Sequence, residues 1–324
     1  MTISVLLFFI LGLTLISYGA NILVRSTEDI SKKYNISYFL SSFIFIGLAT
    51  SSPEIFISVI SSIDGKSNIA IGNALGSNIA NIALVFALSY LFFKKGTLTC
   101  NRIINKELQG FILFLIIISL VIIPLLVDGM ISFNESLLLL SIFFILLYLY
   151  KRIYYVRSKE FDNSISNNYM SGSRILVTLL FGLAVLLVGT EIFLNSSISF
   201  AKEIGISEYI IGLSITAIGT SIPELASSIE SARKKNFDFV VGNILGSNIF
   251  NIAIVISISG LFTLIPSKPL DIIDLSRDMI MILITIISFY TIIKNYNYLA
   301  TKILCVLLLI LFITYQISLY GINI

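Results

Sequence analysis

The chain has 324 residues, of which 57% are hydrophobic and only 12% are charged, and its mean hydropathy is +1.00. A soluble domain needs far more polar surface, so this composition excludes one and indicates a protein embedded in a lipid bilayer. The formal net charge is only +3, and the absence of histidine removes the commonest proton shuttle and transition-metal ligand. We therefore expect a membrane protein that is not an enzyme, has no cofactor and does not bind nucleic acid.

Apolar stretches long enough to span a bilayer recur along the chain and predict an all-α polytopic membrane protein. Ten transmembrane helices are predicted near 3–24, 37–62, 68–93, 108–127, 130–150, 174–201, 208–232, 239–264, 278–293 and 299–320. The longest polar stretch, 151–173, is too short to bury a core. The predicted organisation is a first five-helix repeat over 1–155, a cytoplasmic linker over 156–173 and a second five-helix repeat over 174–324.

Basic residues are distributed unequally between the predicted loops. When the loops are assigned alternately to the two sides of the membrane, 17 of the 21 Lys and Arg residues fall on the side of the odd-numbered loops. By the positive-inside rule, the odd loops are cytoplasmic and both termini are extracellular. We expect a multi-pass protein of the plasma membrane, and the short chain without regulatory domains favours a prokaryotic one.

The two halves of the chain repeat each other at an offset of 170 residues. Residues 72–83, GNALGSNIANIA, match residues 242–253, GNILGSNIFNIA, at ten of twelve positions without a gap. Shared hydrophobicity cannot produce matching Asn, Ser and Gly residues at one offset, so the chain contains a duplication. Five predicted helices separate the copies, and this odd number predicts that the second copy is inverted in the membrane, as in many secondary transporters.

Two glutamates occupy equivalent positions inside the predicted helices. Glu54 and Glu224 each follow a proline, in the strings ATSSPE and GTSIPE. Proline removes a backbone donor and displaces the carbonyl four residues earlier, so both helices are predicted to break near the middle of the membrane. An ionised carboxylate is costly in a bilayer, so these residues indicate a cation site. Carboxylates, hydroxyls and freed carbonyls are hard oxygen ligands that suit Ca2+ and Na+.

The second segment of each copy supplies amides and hydroxyls to the same predicted cavity. These are Asn73, Ser77, Asn78 and Asn81, with their equivalents Asn243, Ser247, Asn248 and Asn251. Other interpretations stay open for the neighbouring residues. The Gly72-xxx-Gly76 and Gly242-xxx-Gly246 patterns favour close helix packing. Glu191 matches Asn21 in the other copy, which favours a structural or near-surface role for this glutamate.

The strings GLATSSPE and AIGTSIPE, each followed by GNxLGSNIxN, resemble the two alpha repeats of the Na+/Ca2+ exchanger family, within the Ca2+/cation antiporter superfamily. The resemblance is strongest over 40–90 and 210–260. It implies ten helices, a central site of carboxylates and carbonyls, and electrogenic exchange of several Na+ ions for one Ca2+ ion. It also implies that Glu54 and Glu224 are the central ligands of both ions.

The other ligands implied by the resemblance are carbonyls, hydroxyls and amides near the two breaks. They are the carbonyls of Thr50 and Thr220 for Ca2+, Ser51, Ser77, Ser221 and Ser247 with the carbonyls of Gly47 and Ala217 for Na+, and Asn81 near the centre. Three positions depart from the family pattern. Ala49 replaces a glycine, Gly47 replaces an alanine, and Asn251 stands where many relatives have aspartate, which leaves two central carboxylates instead of three.

The favoured function is a Na+/Ca2+ antiporter working by alternating access, with Ca2+, Na+ and the lipid bilayer as its only partners and a monomer as its expected state. A Ca2+/H+ or other cation/proton antiporter of the same fold, with the glutamates as proton carriers, is the alternative, although the missing histidines and the amides at Asn81 and Asn251 disfavour it. A cation channel is a third possibility, which the inverted duplication disfavours because channels more often use parallel symmetry.

Overall fold

The computed structural model describes residues 3–93, 106–153, 170–203, 217–263, 269–294 and 297–319. Every regular element in these ranges is helical. The helices are α1 (Ile3–Tyr34), α2 (Tyr38–Thr50), α3 (Ser52–Ile63), α4 (Ser67–Leu91), α5 (Lys106–Leu125), α6 (Phe133–Ile153), α7 (Gly172–Glu203), α8 (Ala217–Gly219), α9 (Ile222–Arg233), α10 (Phe237–Leu261), α11 (Ile272–Lys294) and α12 (Tyr298–Leu319).

Seven of these helices are long and apolar enough to cross a membrane, and the bent pair α2–α3 gives an eighth span. The prediction of an all-helical membrane protein is therefore confirmed, while the number of ten spans stays a prediction. Residues 208–216 of the seventh predicted helix, and most of the predicted linker over 156–173, lie outside the described residues.

The first helix is longer than its apolar stretch. It was predicted to end at residue 24 but continues to Tyr34, so Arg25 and the basic residues of the first predicted loop belong to the helix. Polar contacts stabilise this extension, because the Ser31 hydroxyl bonds to the Thr27 carbonyl oxygen at 2.9 Å and also contacts the Ser41 hydroxyl. Asn35 follows with a φ of 51°, a left-handed conformation that ends helices.

Helices α1 and α7 cross at glycines. A Cβ on Gly19 would lie 2.5 Å from the backbone nitrogen of Leu186, and one on Gly12 would lie 2.7 Å from that of Phe193. The earlier glycine of α1, Gly12, contacts the later residue of α7, Phe193, so the two helices are antiparallel. Their backbones approach too closely at these positions for any side chain.

Helix α10 is the most deeply buried element of the described part. Its residues from Phe239 to Phe250 are all buried. A Cβ on Gly246 would lie 2.5 Å from the carbonyl oxygen of Phe43 in α2, and Gly242 contacts the Phe39 carbonyl in the same way. The predicted packing role of Gly242 and Gly246 is confirmed, and it sets α2 and α10 parallel and in contact.

The equivalent glycines of the first half behave differently. Apart from the chain neighbours and backbone of their own helix, no described residue lies within 4 Å of a Cβ built on Gly72 or Gly76. The positions 170 residues after Phe39 and Phe43 fall within 204–216, outside the described residues. The packing prediction for Gly72 and Gly76 therefore stays a prediction.

The polarity of the helix bundle is that of a protein surrounded by lipid. Large apolar side chains point outward, including Phe144 and Leu7, which are both 61% exposed, and Val177, which is 67% exposed. In contrast, Glu54 and Glu224 are fully buried at 0% exposure. An apolar exterior around a polar interior is what a hydrocarbon solvent favours.

Candidate cation site

The helix breaks bring the two glutamates to the start of new helices. Helices α2 and α3 are bent by 42° at Ser51, and Pro53 and Glu54 lie in the first turn of α3. Ser221 breaks the second copy with nearly the same backbone angles, φ −88° and ψ 4° against −78° and 3° at Ser51. Proline is well tolerated in a first helical turn, where its missing N–H has no intrahelical partner. The positive end of each helix dipole therefore faces the carboxylate in its first turn.

Glu54 and Glu224 face a common centre. The two carboxyl groups lie close enough for their charges to repel each other. Ser77 Oγ donates to Glu54 Oε1 at 3.3 Å, and the Thr220 hydroxyl lies beside the same carboxyl group. Two carboxylates held together in a buried, polar centre favour the binding of a cation that neutralises them.

The surroundings of Glu224 mirror those of Glu54. The hydroxyls of Ser247 and Thr50 lie beside Glu224, so each glutamate has a serine from its own half and a threonine from the other half next to it. Thr50 and Thr220 each immediately precede a helix break. The site is therefore built by both halves together.

Asparagines of α4 and α10 lie next to the centre. Both helices change from α-helical to π-helical hydrogen bonding at equivalent asparagines, over Asn81–Phe86 and Asn251–Val255. Such π-turns occur frequently at functional sites. Asn81 Nδ2 lies 3.5 Å from Asn248 Oδ1, at the limit of a hydrogen bond. The sequence carried no visible signal for these turns, because a π-turn has no fixed residue pattern.

Several buried oxygen atoms at the centre have no hydrogen-bond partner among the described residues. They are Glu54 Oε2, both carboxyl oxygens of Glu224, the hydroxyls of Ser51 and Ser221, and the amide oxygens of Asn81 and Asn251. Buried polar atoms are normally paired, so a cluster of unpaired oxygens indicates a ligand. These are carboxylate, hydroxyl and amide oxygens, the donor types that hard cations such as Ca2+ bind.

The remaining predicted ligands lie around this centre. The carbonyl oxygen of Gly47 is 3.2 Å from the backbone nitrogen of Ser51 and 3.3 Å from Ser247 Oγ. Thr50, Ser77 and Ser247 are buried beside the glutamates. Ala217 begins α8, and its side chain lies outside the described residues. The ten predicted side chains thus lie at the two helix breaks, in the first turns of α3 and α9, and on α4 and α10, which pack against these helices.

Glu191 lies apart from this cluster. It is exposed on α7, where Asn195 Nδ2 donates to its Oε1 at 2.8 Å. This placement agrees with the near-surface role that its mismatch with Asn21 suggested. Within the described residues, no group of three or more acidic, Cys or His side chains could hold a metal ion. The candidate site therefore depends on two carboxylates and neutral oxygens.

Two serines of α9 were missed by the sequence analysis. Ser227 and Ser228 are fully buried and accept hydrogen bonds from Asn243 Nδ2 at 3.0 and 2.8 Å. A signal was present in the repeat, because Ser228 matches Ser58 whereas Ser227 matches Ile57. The difference between Ile57 and Ser227 shows that the two halves cannot form identical hydrogen bonds at this position.

An apolar helical bundle with a buried, oxygen-lined carboxylate pair at two helix breaks defines a cation-transport protein of the membrane. The profile of the family described as "Sodium/calcium exchanger protein" matches residues 4–151 and again 174–321. The chain belongs to this family. Both matched ranges begin and end 170 residues apart, the same offset as the repeat.

Individual relatives cover most of the chain. An uncharacterized membrane protein of Methanocaldococcus jannaschii, MJ0091, is 31% identical over 81% of this chain and 83% of its own length. The putative antiporter CaxA of Alkalimonas amylolytica is 30% identical over 84% of each chain. Among solved structures, the sodium-calcium exchanger NCX_Mj soaked with Na+ and Ca2+ is similar at a TM-score of 0.75, with 30% identity and coverage of 100% of both chains.

Proposed function

We propose that the protein is a secondary active antiporter that exchanges Na+ for Ca2+ across the membrane by alternating access. The observation that carries the proposal is the buried pair of Glu54 and Glu224, which lies among unpaired oxygen atoms from both halves of the chain. The similarity to a sodium-calcium exchanger over the whole chain supports the same pair of ions.

The chemistry of the site accounts for exchange rather than simple binding. Two negative charges balance one Ca2+ ion or two Na+ ions, so the ions compete for the same carboxylates. A site with neither ion retains two buried carboxylates whose repulsion is uncompensated, which disfavours movement of the empty site through the protein. Na+ entering down its gradient then drives Ca2+ in the opposite direction.

Twelve of the residues described above form the proposed ion-binding set. They are Glu54, Glu224, Thr50, Thr220, Ser51, Ser221, Ser77, Ser247, Asn81, Asn251, Gly47 and Ala217. Glu54 and Glu224 bind both ions. The carbonyl groups of the set supply neutral ligands, and the hydroxyls and amides complete the coordination of Na+.

The proposed architecture is ten transmembrane helices in two inverted repeats, over 1–155 and 174–324, joined by a cytoplasmic linker over 156–173. The antiparallel contact of α1 with α7, its equivalent in the second repeat, supports inversion. Both termini are extracellular in a prokaryotic plasma membrane, and the protein is a monomer.

Single cysteines replacing Lys66 and Lys235 test this topology. Only the cysteine at position 66 should react with an impermeant maleimide added outside the cell.

The transport proposal is tested with purified protein in liposomes. Uptake of radiolabelled Ca2+ is measured with a Na+ gradient, with a pH gradient and with neither. Uptake that requires internal Na+ supports the proposal. Uptake driven by the pH gradient and indifferent to Na+ contradicts it and identifies a Ca2+/H+ antiporter, whereas flux without any counter-ion identifies a channel.

A further inference from the structure

The side chain of Asn243 connects the two halves of the chain beside the candidate site. Its Nδ2 donates to the backbone carbonyl oxygen of Glu224 at 3.2 Å, to Ser227 Oγ at 3.0 Å and to Ser228 Oγ at 2.8 Å. On its other side, Asn243 Oδ1 lies 3.2 Å from Thr50 Oγ1 and competes for the single proton of that hydroxyl with the Ile46 carbonyl oxygen at 3.0 Å. One buried amide therefore contacts the Glu224 segment and the last residue before the opposite break.

These bonds fix the first two turns of α9 against α10. Ser227 Oγ also donates to the Glu224 carbonyl oxygen at 3.1 Å, which closes a small network around the Asn243 amide. The amide has only two N–H groups for three acceptors, so the acceptors share them. Asn243 is at 0% exposure, and removing its amide would cost Ser228 Oγ the hydrogen bond that it accepts, while Ser227 Oγ would keep its bond to the Glu224 carbonyl oxygen.

The equivalent network of the first half is incomplete. Thr220 Oγ1 lies 3.5 Å from Asn73 Oδ1, which repeats the contact between Thr50 and Asn243 more loosely. Asn73 Nδ2, however, makes no hydrogen bond to any residue that the structure describes. Ile57 stands where the second half has Ser227, and Ser58 Oγ donates to the Val255 carbonyl oxygen at 2.7 Å.

We propose that Asn243 is a positioning residue that holds the Glu224 segment and Thr50 in the geometry for ion binding, and that Asn73 does not do this for the Glu54 segment. The inference rests on the proposed function. One side of the site is thus preorganised, which lowers the cost of ordering ligands when an ion binds. The Glu54 segment is less constrained and can adjust when an ion binds. The two halves therefore contribute unequally to ion binding although their motifs are nearly identical.

The first test compares matched substitutions of the two asparagines. Asn243→Ala should raise the KM for Ca2+ roughly tenfold with a smaller change in maximal rate, because a lost buried hydrogen-bond network weakens ligand positioning. Asn73→Ala should raise the KM about twofold or less, since this amide has fewer bonds to lose. Equal shifts for the two variants would overturn the inference.

The second test measures the connection itself by hydrogen exchange of the purified protein. Asn243→Ala should accelerate amide exchange both in 222–228 and in 47–56, whereas Asn73→Ala should leave 222–228 unchanged. Acceleration confined to 222–228 would show a local structural role and contradict the connection to Thr50. Where Asn243→Ala does not fold, Ser228→Ala removes one acceptor and should cause a smaller shift in the same two segments.

A third test adds to the first half the hydrogen-bond acceptor that it lacks. Ile57→Ser offers Asn73 the acceptor that Ser227 offers Asn243, so in this background Asn73→Ala should raise the KM for Ca2+ by about fivefold instead of twofold. An unchanged twofold shift counts against the inference.

If wild-type protein shows no Na+-dependent uptake, the proposed function fails, and hydrogen exchange still decides the Asn243 connection. If uptake is normal and the two asparagine variants behave alike, only the positioning role fails.

Discussion

Asn78 Nδ2 donates to the backbone carbonyl oxygen of Asn248 at 3.2 Å, so two equivalent residues of the duplicated halves touch each other. Equivalent residues can meet in this way only close to the axis that relates the halves. Glu54 and Glu224 also join the two halves, because each has a neighbouring hydroxyl from the other half. The contact is also unequal, because Asn248 Nδ2 has no partner among the described residues.

The buried glutamates give the most direct prediction. Glu54→Gln and Glu224→Gln should each abolish Na+-dependent Ca2+ uptake in liposomes, because two charges are needed to balance one Ca2+ ion. The protein should remain folded, since glutamine has the same shape and removes a buried charge.

Glu191→Gln is the matched control for these variants. It makes the same chemical change on an exposed position of α7 and should retain uptake within about twofold. Melting temperature and elution from size exclusion report folding for all three variants. Uptake like that of the wild type in either Glu54→Gln or Glu224→Gln would remove the proposed site.

Asn251 allows a test of proton coupling. Both of its side-chain polar atoms are buried without a partner among the described residues, at the start of a π-turn that packs against α3, the helix of Glu54. Asn251→Asp adds a carboxyl group that can take up and release a proton, so Ca2+ uptake should become more dependent on pH than in the wild type. Asn134→Asp, on an exposed first turn of α6, should keep the wild-type pH profile. An unchanged profile for Asn251→Asp argues against its position at the ion site.

Gly47 is required by the close contact of α2 and α10. A Cβ at this position would lie 2.9 Å from Gly246 Cα, so Gly47→Ala must push the two helices apart. Overpacking of this kind costs about 1–3 kcal/mol, and it also displaces the Gly47 carbonyl from Ser247. We expect a lower melting temperature and a higher KM for Na+.

Gly172→Ala is the control for this substitution. Its Cβ would meet the Tyr34 hydroxyl, the tip of a flexible side chain, which can move aside. Stability and the KM for Na+ should stay close to those of the wild type. A larger effect of Gly172→Ala than of Gly47→Ala would contradict the packing argument.

Lys234 predicts a pH effect on stability at the end of α9. Burial lowers the pKa of Lys234, and the attraction of Glu28, whose Oε1 is 3.8 Å from Nζ, only partly opposes this shift. Between the lowered pKa and that of an unfolded lysine, the unfolded chain binds more protons, so stability should rise with pH in this window. The cost of burying the charge is fully present below the lowered pKa, decreases through this window and disappears above the pKa of the unfolded lysine.

Lys234→Gln removes the titrating group and should flatten this rise in melting temperature under alkaline conditions. Lys66→Gln, an exposed position in a loop, should follow the wild-type curve. Parallel curves for wild type and Lys234→Gln would show that Lys234 does not contribute to the pH dependence.

Prediction from sequence succeeded where local chemistry decides the outcome. Pro53 and Pro223 located both helix breaks, because a proline disrupts the preceding turn wherever the helix packs. The end of the first helix was placed too early, since hydropathy marks where the chain leaves the lipid and not where hydrogen bonding stops. Asn35 in a left-handed conformation ends the helix ten residues later than the apolar pattern suggested.

The sequence by itself determined the membrane class, the duplication and the two carboxylates at the breaks, because composition and repeated strings are properties of short segments. Only the tertiary structure decided which side chains of opposite halves meet. The contact of Thr50 with Asn243 spans 193 residues and depends on α10 packing against α2 through Gly242 and Gly246. The near-identical motifs could not reveal that the amide nitrogen of Asn243 is hydrogen-bonded while that of Asn73 is not bonded to any described residue. The difference between Ile57 and Ser227 affects these amides only because the helices pack side by side in the folded protein.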